Sequence, residues 1–396
     1  MAMTRRAAIQ SLAQVAAIGA LTRSAGGFAA DLSPSAPAFE SIDLKTISQP
    51  SDRYYGWPTV TRRTNGELLL VVSGGREKHV CPFGRVDLLQ SFDQGVSWTY
   101  ARTLFDGPID DRDAGIVETA KGTLLVTTFT SLAYEPTLRR AIETADTDKP
   151  VMPAEQLDRW EAAHGRLAAG QHQAQLGCWM LRSEDDGLSW SIPYRCPLNS
   201  PHGPINLADG SLFYAGKILW EESGTVGVCR SDDDGKTWTW LADIPTRPGD
   251  DHREYHELHA VQAADDRLIV QIRNHNQPNA GETLQTHSSD GGKSWAVPYS
   301  IGVWGLPSHL LRLRDGRLLM SYGYRRAPLG NQVRISDDQG RTWSPPIVLY
   351  GEGASGDLGY PSTVELDDGT LLTVWYEVLR GSPLSQLRAA RWRLKV

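Results

Sequence analysis

The residues able to do chemistry in this chain stand at the ends of its short apolar runs. Six runs open on Asp52-Arg53-Tyr54-Tyr55-Gly56-Trp57-Pro58, Asp110-Asp111-Arg112-Asp113, Pro201-His202, Tyr255-His256-Glu257-Leu258-His259, Pro307-Ser308-His309 and Leu358-Gly359-Tyr360-Pro361. Runs that follow them close on His79, Arg273-Asn274-His275, Tyr324-Arg325-Arg326 and Glu377. Many of the ten histidines fall in these places. Histidine changes charge near neutrality and carboxylates accept protons, so this set suits general acid–base work. Arginine presents paired donors that match a carboxylate, which points to an acidic substrate. The four cysteines (Cys81, Cys178, Cys196, Cys229) show neither a C-x-x-C pair nor a zinc-type histidine spacing. No cofactor or metal is therefore invoked, although His202, His259 and His309 could meet. One disulfide, Cys178 with Cys196 or Cys229, and buried free thiols both remain open.

The elements that must position these groups are announced by repeats. An eight-residue pattern, Ser-x-Asp-x-Gly-x-Ser/Thr-Trp, recurs five times: Ser91–Trp98, Ser183–Trp190, Ser231–Trp238, Ser288–Trp295 and Ser336–Trp343. Its Asp caps backbone N–H groups of a tight turn, its Gly supplies positive φ, and its Trp packs between units. Six hairpins interleave with the boxes, turning at Asn65-Gly66, Lys121-Gly122, Asp209-Gly210, Asp265-Asp266, Asp315-Gly316 and Asp368-Gly369. Repeats of about this period signal propellers and solenoids. The expected fold is all-β: a six-bladed β-propeller of four-stranded antiparallel blades, a ring with no free sheet edge. The segment Phe39–Ile47 alternates apolar and polar residues and should complete the last blade beside Leu387–Val396.

One interval breaks the rhythm. Boxes one and two lie 92 residues apart, against 48, 57 and 48 for the later gaps. The surplus, about residues 131–176, is a partly helical insertion in blade two. Pro153 could start its helix, with Leu157, Trp160 and Leu167 as the apolar stripe. A flap on the side of the ring and a lid over a substrate both fit it.

Strand parity assigns the faces. Boxes and hairpin turns share one face, which should be structural. The opposite face gathers the strand openings around the axis, where a ligand can touch every blade.

The box is the Asp-box of the sialidase (neuraminidase) superfamily, and residues 50–396 resemble that family. The resemblance implies a Tyr nucleophile activated by a Glu, an Asp acid/base and three Arg that clamp a carboxylate. Gly359-Tyr360-Pro361-Ser362-Thr363-Val364 with Leu371-Leu372-Thr373-Val374-Trp375-Tyr376-Glu377 resembles the family's last strand pair, which makes Tyr360 the nucleophile and Glu377 a supporting carboxylate. Glu257-Leu258-His259-Ala260-Val261 with Arg273 resembles the fourth-blade pattern, which makes Glu257 the base and Arg273 a clamp. Arg325 or Arg326 would be another clamp. The family's first-blade Arg is replaced in Gly56-Trp57-Pro58, leaving Arg53 to reach in. The loop Gly75–Gly84 has no Asp, so His79 is the expected proton donor, with Glu77 as its rival. Asp113, His202, His259, His309 and Glu377 complete the expected substrate-binding set.

An aryl-oxide nucleophile suits an anionic anomeric centre, because a carboxylate would be repelled there. The expectation is an exo-acting glycoside hydrolase on an acidic or polar sugar terminus of an oligosaccharide or polysaccharide. A lyase acting on a uronate with His/Tyr acid–base chemistry is the alternative. A non-catalytic glycan-binding propeller is the third reading, and it requires an exposed aromatic platform. The formal charge of −7 argues against a nucleic-acid partner, and no segment past the N-terminus is apolar enough for a membrane span. Residues 1–30, with Arg5-Arg6 before an Ala-rich run, resemble a twin-arginine export signal, implying a periplasmic or secreted protein.

Overall fold

A computed structural model of the chain describes residues 36–48 and 52–395. The proposed leader lies outside the described residues. The described chain forms six four-stranded antiparallel sheets arranged as the blades of a propeller. In blades one to five the strands follow chain order. Blade one, for example, runs Tyr54–Arg62, Leu68–Arg76, Arg85–Ser91 and Arg102–Phe105. Blade six takes Leu358–Glu365, Leu371–Val378 and Ser385–Leu394, and its outermost strand is the N-terminal Phe39–Thr46. Phe39 pairs with Leu394 and Thr46 with Arg388, so the expected closure of the ring by both chain ends is found.

Strands inside a blade are apolar on both sides because each face meets a neighbouring blade. Leu69, Val71, Val86 and Leu88 of blade one pack on Ala114, Ile116, Leu124 and Val126 of blade two. Each Leu, Val or Ile among them contributes about 1.5–3 kcal/mol when fully buried. The four cysteines are free and buried, Cys178, Cys196 and Cys229 in the packing of blades two and three and Cys81 against the insertion. No disulfide forms, and burial pushes the Cys178 and Cys229 thiols up to about 12.

All five boxes share one hydrogen-bond set. In the first, Ser91 Oγ donates to Asp93 Oδ1 at 2.8 Å and accepts the Gly95 N–H at 2.8 Å. Asp93 then accepts from the Ser97 backbone at 2.9 Å and the Ser97 hydroxyl at 2.6 Å. The same four bonds recur around Asp185, Asp233, Asp290 and Asp338. The turn uses two left-handed residues rather than the single Gly expected: Gln94 stands at φ 57° before Gly95 at 84°. Boxes and hairpin turns share a face. Arg182 Nη2 and Thr123 Oγ1 of blade two hold Asp234 in the box of blade three at 3.1 and 2.6 Å. Likewise Arg341 in the box of blade five holds Asp265 of the blade-four turn at 3.0 Å.

The insertion contains two α-helices, α1 (Glu135–Thr144) and α2 (Ala154–His164). Helix α2 starts after Pro153, and its Leu157 and Trp160 are buried as expected, while Leu167 falls beyond its end. Helix α1 was not anticipated, although Pro136 and the spacing of Leu138 and Ala141 are its signal. The insertion packs on Cys81 with Val80 and Phe83, the loop of blade one that carries His79.

Candidate active site

Four blades open their first strand with the same irregularity. Trp57, Asp113, Glu257 and Tyr360 have φ of 56°, 46°, 44° and 52°, and the strand register slips at each of them. A left-handed residue with a bulky side chain costs about 1–3 kcal/mol and persists only where the surroundings hold it. A bulge re-aims a side chain out of the regular alternation. Here it brings four different groups to one place.

Glu257 and Tyr360 meet there. The Tyr360 hydroxyl donates to Glu257 Oε1. Arg273 Nη1 lies 2.5 Å from Glu257 Oε2 and 3.1 Å from the Tyr360 oxygen, so one guanidinium bridges both. Arg325 sits 5.9 Å above the Tyr360 ring and donates to the Leu358 carbonyl at 2.9 Å. Burial pushes the Tyr360 phenol well above its usual range, and the Glu257 charge adds to this. Burial would also raise Glu257, but Arg273, the Tyr360 bond and Arg325 outweigh it and hold the carboxylate low. The pair is thus a proton acceptor already bonded to a phenol. Only 4% of Tyr360 is exposed, against 19% and 14% of the Glu257 and Arg273 side chains.

Asp113 belongs to the same group. Burial lifts its carboxyl to about 7, Arg112 opposes this, and Glu257 adds to it. Its Oδ1 has no hydrogen-bond partner among the described residues.

His79 lies beside this cluster on the far side of Trp57, with ring centroids 5.0 Å apart. Its Nδ1 is 2.9 Å from Asp357 and 3.0 Å from the Tyr54 hydroxyl. Tyr376 also donates to Asp357, at 3.1 Å. Burial would raise Asp357, but the bond to His79 and the two phenols hold it below the usual carboxylate range. Glu77, the rival donor, points away and accepts from Gln156, Arg159 and Trp160 of α2 at 3.0, 2.8 and 2.9 Å.

Several expected residues stand elsewhere. Glu377 is 1% exposed and pairs with Arg388 at 2.9 Å on the other side of its strand. Alternation along the strand gives the site Tyr376 instead, whose ring lies 5.9 Å from that of Tyr360. Arg53 lines a separate crevice with Arg85, Arg159 and Arg166, under the insertion. The place beside Trp57 is held by Arg112 and Arg76, 4.3 and 4.9 Å from its ring. Arg326 stacks on Trp304.

His202, His259 and His309 do converge, with ring centroids 4.6–5.3 Å apart, but lower on the axis. His259 is two residues past Glu257, and two strand residues advance about 6.6 Å. His259 Nδ1 accepts the Leu310 N–H at 2.9 Å, and His309 Nδ1 accepts that of Thr363 at 3.4 Å. These imidazoles tie neighbouring blades and face an axial cavity of about 300 Å³ that runs toward the hairpin-turn face. Burial lowers His309 to about 3 and holds His202 and His259 well below the usual imidazole range. At the mouth, Glu254, His256 and His275 bring ligand atoms within 4.8 Å of one another, yet His275 Nε2 already accepts from Arg273 Nε at 2.8 Å.

Reasoning from sequence assigned no role to Trp57, Arg76, Arg112, Tyr54 or Tyr376, although its motifs contain them, and did not reach Asp357. Asp357 and Tyr376 flank residues that were chosen, and the parity of the strands was the usable signal.

A five-box ring with a Glu–Tyr–Arg knot at its axis invites comparison with known proteins. The family described as BNR repeat-like domain matches residues 159–373, more than half of the chain. The chain belongs to that family. Its ring is the sialidase-superfamily propeller. A sialidase of Micromonospora viridifaciens is 29% identical over 134 residues, 31% of this chain and 20% of that protein. One of Bacteroides fragilis is 26% identical over 247 residues, 55% and 42% of the two chains. The BNR chain thus spans less than half the length of these curated relatives. A Dyadobacter fermentans protein of unknown function superimposes with a TM-score of 0.73 at 23% identity, covering 91% of this chain and 100% of that one. Trypanosoma rangeli sialidase in complex with sialic acid gives 0.57 at 16%, covering 90% and 59%. At such identities the likeness to these structures is one of fold. Among the described residues of this BNR propeller, no helix is long and apolar enough to cross a membrane.

Proposed function

We propose that the protein is an exo-acting glycoside hydrolase for an acidic or otherwise polar sugar terminus. The observation that carries this reading is the Tyr360 hydroxyl bonded to Glu257 Oε1 with Arg273 bridging both. Tyr360 attacks the anomeric carbon while its proton passes to Glu257, so a glycosyl–aryl bond forms as the bond to the leaving oxygen breaks. His79, oriented through Nδ1 by Asp357, gives its proton to that oxygen. Water then displaces Tyr360 and returns the protons. Arg273 and Arg325 supply the positive field for a substrate carboxylate. The aromatic residues at the axis do not favour a passive glycan platform, since Trp57, Tyr54 and Tyr376 are each 1% exposed or less.

A lyase acting on a uronate is the second reading, favoured by the His79–Asp357 pair with the Tyr54 and Tyr376 hydroxyls beside it. Export to the periplasm, resting on Arg5-Arg6 and the Ala-rich run, belongs to the proposal, and cell fractionation checks it.

The deciding experiment is product analysis on a panel of oligosaccharides and aryl glycosides of carboxylated sugars. Release of a saturated sugar, and an adduct on Tyr360 from an activated fluorosugar, support the hydrolase. A product absorbing in the near ultraviolet as a 4,5-unsaturated uronate selects the lyase. Release of nothing from the whole panel overturns both.

A further inference from the structure

The helical insertion holds a group of side chains that the proposed reaction does not use. Glu135 opens α1, His164 closes α2, and His172 lies just beyond, so three separated points of the insertion come together. Their ligand atoms all lie within 4.8 Å of one another. The two imidazoles stack with centroids 3.9 Å apart and planes 16° apart. His172 is buried, and the other two are half-buried.

One nitrogen of each ring is spoken for. His172 Nε2 is 2.9 Å from the His164 carbonyl oxygen. A carbonyl can only accept, so Nε2 carries the proton and Nδ1 of the neutral ring bears a lone pair. His164 Nδ1 is 3.0 Å from the Tyr134 hydroxyl, which can receive its N–H and leave the lone pair on Nε2. A metal-binding histidine is prepared in this way: one nitrogen is anchored to an oxygen, which fixes the tautomer and leaves the other nitrogen bare. Glu135 has no hydrogen-bonding or ion-pair partner for its carboxylate among the described residues. It supplies the negative charge that two neutral imidazoles lack.

We propose that Glu135, His164 and His172 form a divalent transition-metal site, of which Zn²⁺ is the type, that fastens the start of α1 to the end of α2. Two nitrogens and one carboxylate oxygen are a common zinc set, with water in the fourth place. Zinc bonds of about 2.0–2.2 Å need ligand atoms roughly 3.3 Å apart and an ion near the plane of each imidazole, so the two stacked rings must splay apart as the ion enters. The clamp reaches the active face. Helix α2 holds Glu77 through Gln156, Arg159 and Trp160 at 3.0, 2.8 and 2.9 Å. The neighbouring Arg76 holds the His79 carbonyl at 2.9 Å. A metal there braces the loop that carries His79, whatever reaction that loop serves.

Calorimetric titration of the full chain, stripped with chelator, with ZnCl2 tests this, together with the visible spectrum of a CoCl2 titration. The expected result is one ion per chain at micromolar Kd or tighter, a higher melting temperature with zinc, and the intense visible bands of four-coordinate cobalt. His164→Ala and His172→Gln should abolish these signals. If either variant fails to fold, Glu135→Gln, at a half-buried position, carries the same prediction. Tyr134→Phe removes only an outer anchor and should weaken binding by roughly 10–100-fold. His256→Asn, in the cluster at the active-site mouth, should leave the signals intact. Binding weaker than millimolar, or binding that survives His164→Ala, His172→Gln and Glu135→Gln, overturns the proposal.

Discussion

The two faces of the ring solve one backbone problem in opposite ways. Both rely on left-handed residues at strand ends. On the box face the solution is copied: five boxes present the same Ser, Asp and Gly, and the Asp carboxylates are saturated with donors. Asp185, for instance, is held down to about 2 by the Ser189 hydroxyl and backbone and by Ser183. On the opposite face the geometry is copied but the residue is not, since the same bulge carries Trp57, Asp113, Glu257 or Tyr360. Of these four only Asp is a type that tolerates the left-handed region; Trp, Glu and Tyr are not, as Gly or Asn would be. Repetition of both sequence and shape marks scaffold. Repetition of shape with divergent, strained side chains marks the face on which the proposed reaction is placed.

The sharpest way to break this contrast is at the Glu257–Tyr360 pair. Tyr360→Phe and Glu257→Gln should each lower hydrolysis by roughly 10³-fold or more while the melting temperature stays within a few degrees. A loss of activity that merely follows a loss of folded protein would make the pair structural. A smaller effect is expected at His79, whose replacement by Ala or Gln should cost roughly 10²-fold on substrates with poor leaving groups. On an activated aryl glycoside the loss should be slight. Equal losses on both would show that His79 shapes the site and donates no proton.

The box face should answer with stability alone. Asp338→Ala removes the acceptor for the Ser336, Arg341 and Thr342 donors and should cost about 1 kcal/mol, a melting shift of a few degrees, with kcat/KM unchanged. The subtlest effect is at Asp113. Its folded pKa, about 7, lies above that of an unfolded Asp, so the native state holds a proton that the unfolded chain releases from about pH 4. Its contribution to stability therefore falls as pH rises from about 4 to 7 and is flat above. Asp113→Asn should melt higher than the parent at pH 8, and the advantage should shrink toward pH 5. An advantage that does not vary with pH would show that Asp113 is ionised throughout.

Much of this was legible because it is local. The box is an eight-residue turn whose hydrogen bonds close within itself, and six hairpin turns with five boxes count the blades without any distant contact. Glu257, Tyr360, Arg273 and Arg325 were legible through their resemblance to a known pattern. The exchange of Tyr376 for Glu377 has a plain physical cause. Parity along a strand separates Tyr376 from Glu377, and a single extra residue at a bulge reverses it, so a choice of rim residues can be right in region and wrong by one side chain. Arg53 fails differently: it stands exposed in a crevice that it shares with Arg159 and Arg166 of the insertion, and no local pattern reports where an inserted segment docks.

The sequence by itself determined the turns, the blade count, the ring closure by the strand Phe39–Thr46 and the position of the insertion, because each follows from periodicity and short-range hydrogen bonding. Only the tertiary structure decided which polar groups share a dielectric environment. Glu257 and Tyr360 are 103 residues apart and meet through their side chains, and Asp113 joins them from a third blade. Burial and a shared guanidinium set their proton affinities, and both depend on how blades are placed around an axis, which no window of sequence contains.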